Sequence, residues 1–385
     1  MKKSIYTFLG IALLATSCSE SNEPDNGGLD TKDTRFEAIA SNYLDNTVII
    51  TYTSLADNAE QLVKDLEALK ASKSDAGVKK ACESFLEARK WWERSEAFLY
   101  GAAADFGIDP HIDSWPLDRA GLVAEMSNPD HIAAMDAEDG DVWAGAHLGP
   151  ELLGFHGIEY IIFADGMPKA ATDIPDNELI YATAVAGDLR NKCYQLQLSW
   201  AGEEAAGAAR LAKVAEELEW SYTVANSGIS YKENMLSAGK AGSTYRTWTN
   251  AMEAIVDGCI SIADEVGTQK IGKPHTGEDA NYIESPYSHK SITDFHDNII
   301  SIENSYMGGI EGKRDESKSL HAYVKDTDSE LDAKVTKAIE NAKTKIAAMQ
   351  APFVLNYSHA SAGEAMDACR ELADVLSELK VSLSK

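Results

Sequence analysis

Basic side chains are few in this sequence: 35 Lys and Arg stand against 62 Asp and Glu in 385 residues, a net charge of -27. That balance argues against nucleic acid as a partner and against electrostatic attraction to anionic lipid. Cysteine is scarce too. Apart from Cys18, the thiols at Cys82, Cys193, Cys259 and Cys369 are far apart and sit in helical patterns, which argues against a thiolate metal site and predicts buried free thiols. No apolar run reaches the roughly 20 residues that a spanning helix needs. Strand-like alternation is rare. There is no His-Glu-x-x-His of a zinc protease, no Glu-x-x-His repeat of a di-iron bundle and no Gly-x-Ser-x-Gly nucleophile elbow.

Helical periodicity is present almost throughout, and predicts an all-α fold. At 385 residues and 44% hydrophobic, the chain can fill two cores. The expected organisation is two helical domains, each four-helix-bundle-like, with long irregular connections. Met1-Lys2-Lys3, the apolar Ile11 to Leu14 and Ala15-Thr16-Ser17-Cys18 form a secretion signal over 1–17 that ends in a lipobox-like cysteine, so lipidation is expected at Cys18. Residues 18–33 read as a polar, disordered tether. The N-terminal bundle is expected over 34–169. Its first helix starts after Asp33 or Thr34 and runs to about Ala71, and its second spans Asp75 to Gly101. The C-terminal bundle is expected over 176–385, with helices near 176–201, 208–239, 243–266, 291–308, 329–350 and 361–383.

The chemistry centres on Leu152 to Phe163, an almost wholly apolar segment holding one histidine and one glutamate. On a helix, His156 and Glu159 point the same way, and a buried Glu159 needs a compensating partner. Spacing alone is weak evidence, because His275 and Glu278 repeat it inside a Pro- and Gly-rich stretch. Context separates the two: Gly154 and Gly157 beside His156 let another segment approach closely. Arg89 and Glu96 share the apolar stripe of the second helix, where charges are out of place. Trp115, Asp118, Glu284, Ser285, Asp294 and Asn298 are further candidates, with Asp294 and Asn298 on one helix face.

These residues resemble the imelysin family, which includes iron-regulated lipoproteins and EfeO-type iron-uptake proteins. Gly154-x-His156-x-x-Glu159 looks like its hallmark. Ala88-Arg89 with Glu96-Ala97-Phe98, Trp115-Pro116-Leu117-Asp118, and Asp294, Asn298, Tyr306 and Gly308 follow in the family's order. Glu284-Ser285-Pro286-Tyr287 departs from the acidic-histidine stretch of many members. The resemblance implies two helical domains with a site in the cleft between them, and His156 and Glu159 as metal ligands. Arg89, Glu96, Trp115, Asp118, Ser285, Asp294 and Asn298 would bind or shape that site. Iron is the implied metal, with zinc as the alternative. The implied function is metal binding and acquisition by a lipoprotein anchored to the outer membrane, facing periplasm or exterior and working with a metal-uptake partner. The family also carries a peptidase label, so a metallopeptidase-like hydrolase stands as an alternative, beside a non-catalytic lipoprotein that binds a ligand or partner. Arg89 is expected to pair with Glu96 or with Glu159.

Overall fold

The computed structural model describes residues 31–385, so Cys18 and the expected signal and most of the tether lie outside the described residues. The described chain is all-α apart from one two-stranded hairpin, β1 (Phe163–Ala164) with β2 (Met167–Pro168). No helix among the described residues is long and apolar enough to cross a membrane.

The chain enters α1 (Lys32–Tyr43) earlier than expected, because Thr31 and not Asp33 or Thr34 caps it: the Thr31 hydroxyl accepts the Thr34 N–H. A π-turn, Leu44–Val48, carries the same rod into α2 (Ile49–Ala71). Helix α3 covers Asp75–Glu93. The expected continuation to Gly101 fails because the Ser95 hydroxyl and amide both bond the Trp92 carbonyl, closing the helix, and Glu96–Phe98 forms a separate tight turn. The 102–147 stretch contains short helices, as its broken periodicity predicts. Then come α4 (Gly154–Ile162), α5 (Asp176–Ala201), α6 (Trp248–Glu265), α7 (Ser291–Met307), α8 (Ser329–Ala347) and α9 (Ala360–Leu383). The single helix expected over 208–239 is instead broken. A capping box, Ser230 with Glu233, starts a new short helix at Tyr231–Leu236.

Two helix groups build the core. In the first, α2 packs along α3 and α5, and α4 lies against α3 and α5; in the second, α9 packs along α6 and α8, and α7 along α6 and α8. Helix α5, which lies in the span 176–385 expected for the C-terminal bundle, packs with the first group. The groups meet where α3 lies on α7 and where the Glu96–Phe98 turn lies on α6. Gly258 of α6 makes that second contact feasible, since a Cβ there would stand 2.0 Å from the Ala97 carbonyl oxygen. The charged residues of interest gather at this seam.

Candidate functional site

Helix α4 owes its position to a glycine. Gly154 has a φ of +67°, and a Cβ on it would sit 1.9 Å from the Ile112 carbonyl oxygen. The helix start is therefore pressed onto the short Asp109–Ile112 helix, and the residue that follows it, Asp113, comes beside His156. His156 Nε2 stands 3.0 Å from Asp113 Oδ1 without being aligned for a hydrogen bond, and Nδ1 stands 3.8 Å from Glu159 Oε2. Glu159 is buried, and its charge is held by backbone: Oε1 accepts the N–H of Tyr287 at 3.2 Å and of Ser288 at 2.7 Å. Among the described residues, neither Arg89 nor any other guanidinium is its partner, and Oε2 has no hydrogen bond.

Arg89, only 2% exposed, serves other carboxylates. It pairs with Glu93 one turn along α3, with Asp113, and with Glu284 at 2.5 Å. Phe155 of α4 lies 5.0 Å from the guanidinium carbon. A second buried cation, Lys270, stands 3.1 Å from Glu284, 3.7 Å from Glu96 and 3.8 Å from Glu93. Trp92 Nε1 donates to Asp113 at 2.7 Å, Asn298 Nδ2 to Glu93 at 2.5 Å, and Ser285 Oγ to Asp294 at 2.5 Å. Oxygens of Glu93, Asp113 and Glu284 lie within 4.8 Å of one another, the one such trio of acidic or metal-ligating groups among the described residues.

Six buried carboxylates (Glu93, Glu96, Asp113, Glu159, Glu284 and Asp294) thus face two permanent cations, Arg89 and Lys270, and one imidazole. The excess sets the proton affinities. Burial, against the pull of Lys270 and reinforced by Glu93, pushes Glu284 up to about 7. Burial likewise raises Asp294 and Glu96 well above the carboxylate range, with Glu93 adding to both. Asp109, at the rim, is pushed up to about 7 by burial and by Asp113. Asp113 goes the other way: burial opposes its charge, but Arg89 and His156 hold it below the usual range. Burial disfavours the His156 cation, yet Asp113 and Glu159 outweigh it and lift the imidazole to about 9.

The fold therefore brings His156, Glu159, Arg89, Glu96, Ser285, Asp294 and Asn298 to one buried cluster. Two expectations need correction. Arg89 pairs with neither Glu96 nor Glu159, because α3 ends at Glu93 and turns Glu96 toward Lys270. Asp118 lines no wall: it is exposed and caps the Arg119–Met126 helix, accepting the Gly121 N–H at 3.0 Å. Trp115 stays near the cluster, its ring 3.9 Å from that of Tyr282 on the side of a small cavity. Sequence reasoning missed Glu93, Asp113 and Lys270. Glu93 was findable as the i+4 partner of Arg89. Asp113 and Lys270 carried no local signal: the first follows the short helix Asp109–Ile112, the second closes the π-turn Val266–Lys270 that prolongs α6, and only tertiary packing brings them to the cluster. The Ser285 hydroxyl is bound to Asp294, not to an imidazole, and all four described cysteines are buried free thiols.

This architecture has known relatives. The chain is 26% identical over 299 residues to iron-regulated protein A of Synechococcus elongatus, spanning 78% of this chain and 69% of that protein. The crystal structure of an iron-regulated protein A precursor from Parabacteroides distasonis superposes with a TM-score of 0.77 at 27% identity, covering 93% of this chain and 97% of the other. An imelysin-like protein from Psychrobacter arcticum shares the fold at a TM-score of 0.63 and 12% identity, over 90% and 94% of the two chains. The sequence pattern of the family described as Imelysin, Peptidase_M75, matches residues 48–383. With most of its length matched, the chain belongs to the imelysin family.

Proposed function

We propose that this protein binds iron in the buried cluster at the seam of its helix groups and serves bacterial iron acquisition, held to the outer membrane through lipidated Cys18 and passing metal to an uptake partner. The observation that carries this reading is a surplus of buried acid with open ligand atoms. Six carboxylates meet two fixed cations, and among the described residues Glu159 Oε2 and Glu284 Oε2 are buried without a hydrogen bond. Unsatisfied buried carboxylate oxygens are costly, and a metal ion removes that cost. The donors are oxygens with one imidazole nitrogen and no thiolate, a set that suits iron and accepts zinc. His156 and Glu159 are the first ligands, with Asp113 3.0 Å from His156 Nε2 and joined by Glu93 and Glu284 in a trio of its own beside them. Arg89 and Lys270 hold the remaining charge of those three carboxylates. The names of two relatives, both iron-regulated proteins, agree with an iron-related role.

Elemental analysis of the purified protein, joined to calorimetric titration with ferrous, ferric and zinc ions, tests the reading. The expected result is about one iron per chain, lost in His156→Ala. Binding no tighter than millimolar for all three ions would overturn it.

A further inference from the structure

Three aromatic rings among the described residues each carry two basic side chains, and one of the three differs from the others. Lys90 and Arg94 lie over Trp91, and Arg190 and Arg210 over Tyr194. Each of those four cations also has a carboxylate of its own: Glu87, Asp297, Asp141 and Asp57 in turn. Over Tyr160 lie Arg119, 5.6 Å from the ring centre, and Lys169, 5.0 Å from it. Neither makes a salt bridge or a side-chain hydrogen bond among the described residues. Acid is not scarce in a chain with 62 Asp and Glu, but the neighbouring Asp118 is turned to the Gly121 N–H. Burial lowers the proton affinity of Lys169, and Glu178 and Asp173 support its charge without contacting it. Two like charges held at one ring repel each other, so an anion from outside would stabilise both.

The place of this ring suggests what the anion is for. Tyr160 follows Glu159 in α4, and the Tyr287 ring meets it edge-on, 5.2 Å between centres. The Tyr287 amide is one of the two that hold Glu159 Oε1, and its carbonyl accepts the N–H of Gly166 in the β1–β2 turn. Arg119 reaches Tyr287 as well: burial raises the proton affinity of that phenol, and the guanidinium opposes the rise. The two cations therefore stand on the outer side of the contact whose inner side is Glu159. Arg119 is exposed, and Lys169, Tyr160 and Tyr287 are half-buried, so a ligand in solution can reach them. Two separate cations match a molecule with two or more carboxylates better than one compact anion, because each carboxylate can take its own charge-assisted hydrogen bonds. Polycarboxylates also keep ferric ion dissolved at neutral pH, where it otherwise hydrolyses. We propose that Arg119 and Lys169, held over Tyr160, form a clamp for a small polycarboxylate, and that the metal arrives beside Glu159 as the polycarboxylate chelate. The second half rests on the metal-binding reading above; the first does not.

Tricarballylate, a tricarboxylate without citrate's hydroxyl and a weak ligand for iron, is the probe for the clamp. It is titrated calorimetrically, at near-physiological salt, into protein freed of metal and of soluble chelator. Saturable binding at one site per chain is expected, weakened about tenfold or more in Arg119→Gln/Lys169→Gln, because charge-assisted hydrogen bonds are lost. Lys90→Gln, whose cation lies over Trp91 but is paired with Glu87, should bind as wild type does. Circular dichroism confirms that each variant folds. No saturable binding, equal affinity in the double variant, an equal loss in Lys90→Gln, or equally tight binding of inorganic phosphate overturns the clamp. With ferric citrate as donor, iron loading should be about tenfold slower or more in the double variant, while loading from ferrous ion keeps the wild-type rate. Equal loading from ferric citrate would overturn delivery as a chelate. If His156→Ala still holds its iron while tricarballylate binds as expected, the inner ligand assignment fails and the clamp stands.

Discussion

Arg89 Nη2 and Glu284 Oε1 stand 2.5 Å apart although 195 positions separate them, so one buried ion pair ties the first helix group to the segment that leads into α7. The same guanidinium also holds Glu93 and Asp113. Removing it would leave Glu93 and Glu284 with Lys270 alone, and Asp113 with His156. Arg89→Met should therefore cost about 3–5 kcal/mol of unfolding free energy in urea denaturation. Arg89→Met/Glu284→Gln should recover part of that loss, since the second change removes a stranded charge. Additive losses in the double variant would show that the pair does not couple.

Gly154 is a second control point, and its effect is on position, not charge. At φ +67° with the Ile112 carbonyl 1.9 Å from a would-be Cβ, Gly154→Ala must push α4 away from the 109–112 turn. The expected result is destabilisation of at least about 2 kcal/mol from backbone strain and overpacking. The geometry also predicts that His156 separates from Asp113, so the imidazole resonances in NMR should titrate at lower pH than in wild type. A stable variant with an unchanged His156 titration would contradict this account of α4.

How much of this was legible before the fold was known divides along physical lines. Helices α5, α7, α8 and α9 were legible to within a few residues: α7, α8 and α9 are long and amphipathic, while α5, buried on most sides, is bounded by Pro175 and Gly202. The end of α3 was not legible: Trp92-Glu93-Arg94-Ser95-Glu96 contains no glycine or proline, and the stop comes from a serine hydroxyl taking a carbonyl. The break after 208 had a visible cause in Ser230-x-x-Glu233, a capping pattern inside what looked like one helix. At the site, His156 and Glu159 stood out by context. Their neighbours Asp113, just past a short helix, and Lys270, at the end of the π-helical extension of α6, meet the cluster only because Gly154 and the seam put them there. Asp118 shows the opposite error, a motif residue whose work is to cap a helix.

The His156 imidazole carries a pH signature. Its proton affinity rises from 6.5 to about 9 on folding. Because the folded value is the higher, its contribution to stability is complete below about pH 6.5 and disappears as pH climbs through about 9. That span corresponds to about 3 kcal/mol. In EDTA, the stability gap between wild type and His156→Gln should shrink by that order between about pH 6 and about pH 10. A gap independent of pH would mean that Asp113 and Glu159 do not stabilise the cation.

Glu159→Gln separates a ligand from a structural acceptor. Glu159 Oε1 accepts two backbone N–H groups, from Tyr287 and Ser288. A glutamine keeps a carbonyl oxygen for those donors, so the contact between α4 and the 287–288 turn survives. What it loses is the charge and the second oxygen, Oε2, which is buried without a hydrogen bond. If that oxygen is there for the segment contact, the change should cost little and leave metal content alone. If it is there for a metal, the thermal midpoint of the apo protein should move by only a few degrees while iron content falls by at least about tenfold, since a neutral amide is a far poorer ligand for a hard cation. Asp118→Ala is the matching control from the same motif set: it should cost about 1 kcal/mol through the lost helix cap and leave iron content at the wild-type level. Iron retained in Glu159→Gln, or lost in Asp118→Ala, would reverse the roles assigned to these two acids.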